Sequence, residues 1–88
     1  MNNIAASQFA RHERIAAIRE AIEAAGGILK FARAIGVTHQ AVYHWLKSGF
    51  VPLKRALVVE ALFKVDRERT MDPALLRAIN TPSAAPFI

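Results

Sequence analysis

The chain's four glycines, at positions 26, 27, 36 and 49, each close a run of apolar residues spaced three and four apart. A glycine in that place supplies the positive-φ cap of a helix C-terminus and resists continuation of the helix. The chain is therefore built for short helices meeting at tight corners. Isoleucines 15, 18 and 22 with Ala25 share one face of a helix from Arg11 to Ala25, which Gly26-Gly27 ends. Ile28, Phe31, Ala32 and Ile35 fill two further turns up to Gly36. Thr38 stands before the next periodic run, where its hydroxyl can accept a backbone N–H, and that third helix reaches Ser48 before Gly49 stops it.

Past Gly49 the signals come from proline. Pro52 pushes Val51 toward an extended conformation and can open a fourth helix, which runs to about Lys64 and is apolar on nearly all sides. Val65 to Thr70 alternates charge and reads as a solvated link, and Asp72-Pro73 pairs an N-cap with a first helical residue for a last helix through Ile79. Nothing sustains the alternation of a strand. An all-α fold of five helices is expected, with residues 1–10 as an N-terminal arm, 11–79 as one domain and 80–88 as a disordered tail.

Composition narrows the function classes. With 53% hydrophobic and 22% charged residues the 88-residue chain should fold, though a core of this size is marginal alone and favours oligomerisation. The absence of cysteine removes disulfides, thiolate metal sites and cysteine nucleophiles. No apolar run is long enough to span a bilayer and no signal-peptide core is present, so a cytoplasmic protein without a membrane partner is expected.

Charge is distributed unevenly. Between Glu23 and Glu60 lie 36 residues with no carboxylate and five cations, Lys30, Arg33, Lys47, Lys54 and Arg55. Such a surface suits a polyanion. The same window holds a helix-turn-helix pattern: Gly36 to leave the first helix, small Ala32, and Phe31, Ile35, Val37, Val42 and Trp45 as its buried set. Advancing about 100° per residue, the third helix divides into an apolar arc with Val42, Trp45 and Leu46 and a polar arc with His39, Gln40, Tyr43, His44 and Lys47. Gln40 can bind adenine bidentately, His39 and His44 can donate to guanine or phosphate, and Tyr43 can touch a thymine methyl or a phosphate. Lys30, Arg33, Thr38, Lys47, Lys54 and Arg55 are the candidates for phosphate.

The competing readings are weaker. Trp45 lies on the apolar arc and belongs to the core rather than to a base stack. His12, His39 and His44 lack metal-ligand spacing and a neighbouring carboxylate, so no metal or other cofactor is expected. No serine has a base partner, and neither an enzyme nor a small-molecule substrate is expected.

The stretch from Gly26 to Gly49, followed by Val51-Pro52 and the helix with Glu60, resembles the lambdoid phage Cro repressors and the related YdaS-type antitoxins over about residues 14–79. The resemblance implies a lambda-repressor-like domain in its all-helical form. It also implies a prophage-encoded or chromosomal transcription regulator that binds a palindromic operator as a dimer. Carried over, His39, Gln40, Tyr43 and His44 hold the base-reading positions and Lys47 the phosphate-proximal end. Size and the surplus of apolar residues on the fourth helix point to a homodimer through Leu57, Val58, Leu62 and Phe63, with Leu75, Leu76 and Ile79 as further candidates. The rival expectation is a protein-interaction module, an antitoxin or adaptor whose partner is a toxin or another regulator.

Overall fold

Residues 3–80 are described in the computed structural model of the protein, their side chains from Gln8 to Ile79. Five helices follow in order: α1 (Asn3–Ala25), α2 (Ile28–Ile35), α3 (His39–Ser48), α4 (Leu53–Phe63) and α5 (Pro73–Asn80). A 3-10 turn at Arg67–Arg69 joins α4 to α5, and no strand occurs among the described residues. The fold is all-α, as the glycine and proline punctuation requires.

The helix boundaries have visible causes. At Gly36 the backbone turns left-handed (φ 78°), and the Val37 N–H returns to the Ala32 carbonyl at 3.0 Å, closing α2 and aiming the chain into α3. Thr38 Oγ1 accepts from the Ala41 N–H at 3.2 Å, the N-cap its position promised. Pro52 is the N-cap residue of α4 rather than its first helical residue, and Asp72 Oδ1 accepts from the Ala74 N–H at 3.0 Å to open α5 behind Pro73. The end of α4 carries no glycine: Lys64 itself takes the left-handed conformation (φ 61°), its N–H bonded to the Glu60 carbonyl.

Ala17, Ile18, Ala21 and Ile22 of α1 face Phe31, Ala32 and Ile35 of α2, Val42 and Trp45 of α3, and Ala56 and Val59 of α4 in one core. Phe31 is fully buried, and its ring centroid lies 5.5 Å from that of Phe63. Burying a side chain of this kind contributes roughly 1.5–3 kcal/mol, and α2 supplies two, Phe31 and Ile35, with the smaller Ala32 buried between them. The two short helices at the centre of the motif are therefore held by packing, since helices of this length are unstable alone.

Two expectations change. The N-terminal arm is helical from Asn3 onward and continuous with α1. Ile4 and Phe9 are out of phase with the isoleucine stripe, but the segment contains no glycine or proline to stop a helix, and alanines carry it. The link from Val65 to Thr70 is solvated only in its middle: Val65 and Thr70 are buried, Met71 beyond them is buried too, and the Val51 N–H donates to the Thr70 carbonyl at 2.7 Å. Charge alternation reported the exposed residues 66–69 and concealed the anchors at either end. Of the expected tail 80–88, Asn80 ends α5 and residues 81–88 lie outside the described residues.

Candidate nucleic-acid interface

The exposed face of α3 carries His39, Gln40, Tyr43, His44 and Lys47, while Val42 and Trp45 are buried behind it. The anticipated division of the helix is the observed one. His39 and Tyr43, one turn apart, stand edge to face with centroids 6.1 Å apart and planes at 83°. That contact orders two aromatic side chains on a surface where neither is covered by the core.

Arg33 of α2 meets this face. With Thr38, His39 and Gln40, and with Leu29, Ala32 and Val37 behind them, it lines an open notch of about 360 Å³ between α2 and the start of α3. A guanidinium, a hydroxyl, an imidazole and a carboxamide thus converge there, all groups that bind phosphate or base edges. Lys47 is exposed at the far end of the same helix. Arg33 and Lys47 each lie in the last turn of their helices, where a cation also complements the negative end of the helix dipole.

The remaining phosphate candidates stand further out. Lys30 is exposed but folds back over the α1–α2 corner, its Cδ 3.1 Å from where a Cβ on Gly26 would be. Lys54 is exposed in the first turn of α4. Arg55 differs from its neighbour: it is half-buried, and its Nη1 donates to the Ile35 carbonyl across 3.5 Å, so that it leans on the C-terminal end of α2. Position in the cation series did not separate these two, because adjacent residues on a helix point about 100° apart.

The helix ends add to the field. None of α2, α3 and α4 has an acidic residue in its first turn. Acids there are stabilising and cations unfavourable, yet Lys30 occupies the first turn of α2, and Lys54 and Arg55 that of α4. The ion pairs lie elsewhere: Arg67 with Glu60 at 3.5 Å, and Arg69 with Glu20. The latter is bidentate, at 2.8 and 3.2 Å, and the hydrogen bond from Arg69 holds the Glu20 carboxyl below the ordinary carboxylate range.

The four residues anticipated at a dimer interface separate into two pairs. Leu57 and Leu62 are exposed, whereas Val58 and Phe63 are half-buried against the core, Phe63 on the ring of Phe31. On α5, Leu75 and Ile79 are exposed and Leu76 packs inward.

Two residues that sequence reasoning missed fasten α3 from below. Arg11 donates through Nη2 to the Lys47 carbonyl, and Arg14 through Nε to the Gly49 carbonyl at 2.7 Å. Their signal in the sequence was faint: they prolong the stripe of Ile15, Ile18 and Ile22 toward the N-terminus, so that cations occupy core-facing positions.

Residues 18–71, more than half of the chain, match the family described as Bacterial toxin YdaS. The chain belongs to this family. The YdaS match runs from the second half of α1 through the helix-turn-helix and α4 to Met71, and leaves out Arg11, Arg14 and α5. Its description names a toxin, where the resemblance read from the residues was to Cro repressors and YdaS-type antitoxins. No curated protein and no solved structure gives a match. Among the described residues no helix is long and apolar enough to cross a membrane.

Proposed function

We propose that this YdaS-family protein is a sequence-specific binder of double-stranded DNA that acts as a homodimer on a palindromic operator in the cytoplasm. The observation that carries the reading is the face of α3: five exposed polar side chains of base-reading chemistry over an apolar back, flanked by cations, in a window without carboxylates. Gln40 and His44 are assigned to base edges, with His39 and Tyr43 beside them. Arg33, Thr38 and Lys47 are assigned to the nearest phosphates, and Lys30 and Lys54 to those farther along the groove. Arg55 has its first partner within the chain. The role is binding, not catalysis, and regulation of transcription is its consequence whether the chain serves as the toxin or the antitoxin of a pair.

Exposed Leu57 and Leu62 on α4 are the residues assigned to the two-fold contact. A dimer through them would offer two α3 helices to successive major grooves about 34 Å apart. Those same leucines, together with the family's description as a toxin, favour a second reading, a protein-interaction module whose partner covers α4.

Selection of duplexes from a random pool, followed by mobility shift on the winner and a scrambled control, separates the two readings. Enrichment of an inverted repeat with salt-sensitive affinity is expected, along with a dimer in sedimentation that Leu57→Asp/Leu62→Asp converts to monomer. Absence of salt-sensitive duplex binding, with a monomeric wild-type chain, refutes the DNA-binding reading.

A further inference from the structure

We propose that Arg11 and Arg14, on the part of α1 that precedes the family match, are positioning residues for the recognition surface. They clamp the last turn of α3 through its main-chain carbonyls and thereby fix the angle at which the face of α3 meets a duplex. The inference rests on the DNA-binding reading given above and adds to it a control point that touches no base.

The geometry is specific. Arg11 Nη2 and Arg14 Nε reach the carbonyls of Lys47 and Gly49, residues 36 and 35 positions away. Carbonyls at the end of a helix lack intrahelical donors and form the negative pole of its dipole, so a cationic donor is their best partner. The guanidinium is permanently charged and rigidly forked, which makes the direction of its bonds well defined. Packing of Val42 and Trp45 holds α3 against the core, and apolar burial by itself is non-directional. Hydrogen bonds from α1 supply the direction that burial lacks.

A second observation is independent of those bonds. Gly49 is buried and left-handed (φ 94°), and a Cβ there would stand 2.9 Å from Arg11 Cγ and 3.1 Å from Arg11 Nε. The corner after α3 thus needs glycine twice, once for its backbone and once because the stem of Arg11 lies across it. The amides and carbonyls of the turn, the glycine and the two arginines form one fitted unit. One guanidinium nitrogen of each arginine donates to a main-chain carbonyl of the protein, which distinguishes Arg11 and Arg14 from the exposed Lys47.

The test compares wild type with Arg14→Ala, Arg11→Ala/Arg14→Ala and Arg14→Lys in the full chain. Amide hydrogen exchange across Trp45–Gly49 is measured without DNA, and affinity is measured for a duplex selected by the wild type from a random pool and for a scrambled duplex. Loss of the clamp is expected to speed exchange in this turn. It should also reduce the selected-to-scrambled affinity ratio on the order of tenfold, comparable to losing one base contact, with the salt slope unchanged. Arg14→Lys, which keeps a cationic donor, should recover part of the exchange protection and part of the ratio. A salt slope reduced by about one per arginine, with exchange unaltered, would identify phosphate ligands and overturn the proposal. Faster exchange with an unchanged ratio overturns it too, leaving only a structural cap. A wild-type chain that selects no duplex refutes the DNA-binding reading instead, and the exchange comparison then still decides whether the clamp exists.

Discussion

Gly36 and Gly49 end successive helices in the same left-handed conformation, with φ of 78° and 94°, but in opposite surroundings. A Cβ at Gly36 would meet nothing within 4 Å, while one at Gly49 would stand 2.9 Å from Arg11 Cγ. Gly36→Ala therefore isolates the backbone cost of a left-handed alanine, about 1–2 kcal/mol. Gly49→Ala bears that cost and must also displace the Arg11 stem, giving up a charge-assisted bond that at this exposure is worth roughly 1 kcal/mol. A total near 2–3 kcal/mol is expected, against the roughly 4–13 kcal/mol of stability ordinary for a chain of this length. Both variants should stay folded at room temperature, with melting temperatures lowered by about 4–8 °C for each kcal/mol. Thermal melts followed by far-ultraviolet circular dichroism measure the difference. The double variant Arg11→Ala/Gly49→Ala supplies the control: with the stem gone, the second substitution should cost no more than Gly36→Ala, a coupling of roughly 1 kcal/mol. Equal costs for the two glycine variants, with strict additivity at Gly49 and Arg11, would show that the Arg11 stem does not lie over the corner.

Three further outcomes follow from the charges and the recognition face. Lys54→Glu, which puts an acid where the dipole of α4 favours one, should stabilise the free protein by about 0.5–2 kcal/mol in denaturant titration. The same variant should weaken binding to a mixed-sequence duplex and lower the salt slope by about one; an unchanged slope would remove Lys54 from the interface, and destabilisation of the free protein would refute the dipole argument. Gln40→Ala should reduce affinity for the selected duplex by about 1–3 kcal/mol in a fluorescence titration and leave the scrambled duplex nearly unaffected, whereas equal loss on both would deny it a base-reading role. Because Arg69 depresses the folded-state pKa of Glu20, that pair contributes stability above the unfolded carboxylate range and loses it as pH falls through the lower folded value. The melting-temperature difference between wild type and Glu20→Gln should accordingly be present at neutral pH and vanish on acidification; a difference that grows toward acid would reverse the assigned sign.

Much of this architecture was legible because its determinants are local. Gly26-Gly27, Gly36, Thr38, Gly49, Pro52 and Asp72 each act within about four residues of themselves, so the corners they mark can be read from spacing alone, whereas the start of α1 and the left-handed Lys64 after α4 cannot. The face of α3 was legible for the same reason, since Val42 and Trp45 define an inside within three residues of each other. What stayed hidden depends on partners far along the chain. Val65 and Thr70 look like parts of a charged link until the Thr70 carbonyl is seen to accept from Val51. Arg55 resembles Lys54 until it is found against Ile35. Within α4, apolar character on almost every side could not say which residues face the core; only the ring of Phe31 places Phe63 inward and leaves Leu62 exposed.

The acid-free window combines both kinds of information. As a fact of sequence it says only that 36 residues carry no carboxylate. Placed on the fold, it spans the starts of three consecutive helices, α2, α3 and α4, positions where aspartate or glutamate would stabilise the free protein at no cost to packing. Lys30 and Lys54 stand in two of those turns, and each makes its helix slightly less stable than an acid would. A chain with so small a core gains nothing within itself from that choice. An anion bound at such a helix start reverses the balance, because it pairs with the lysine and with the dipole together. Lys30 and Lys54 therefore lie where they are unfavourable without a ligand, unlike Arg33 and Lys47 in the last turns of their helices, and this placement supports the proposal that an anionic partner covers the surface.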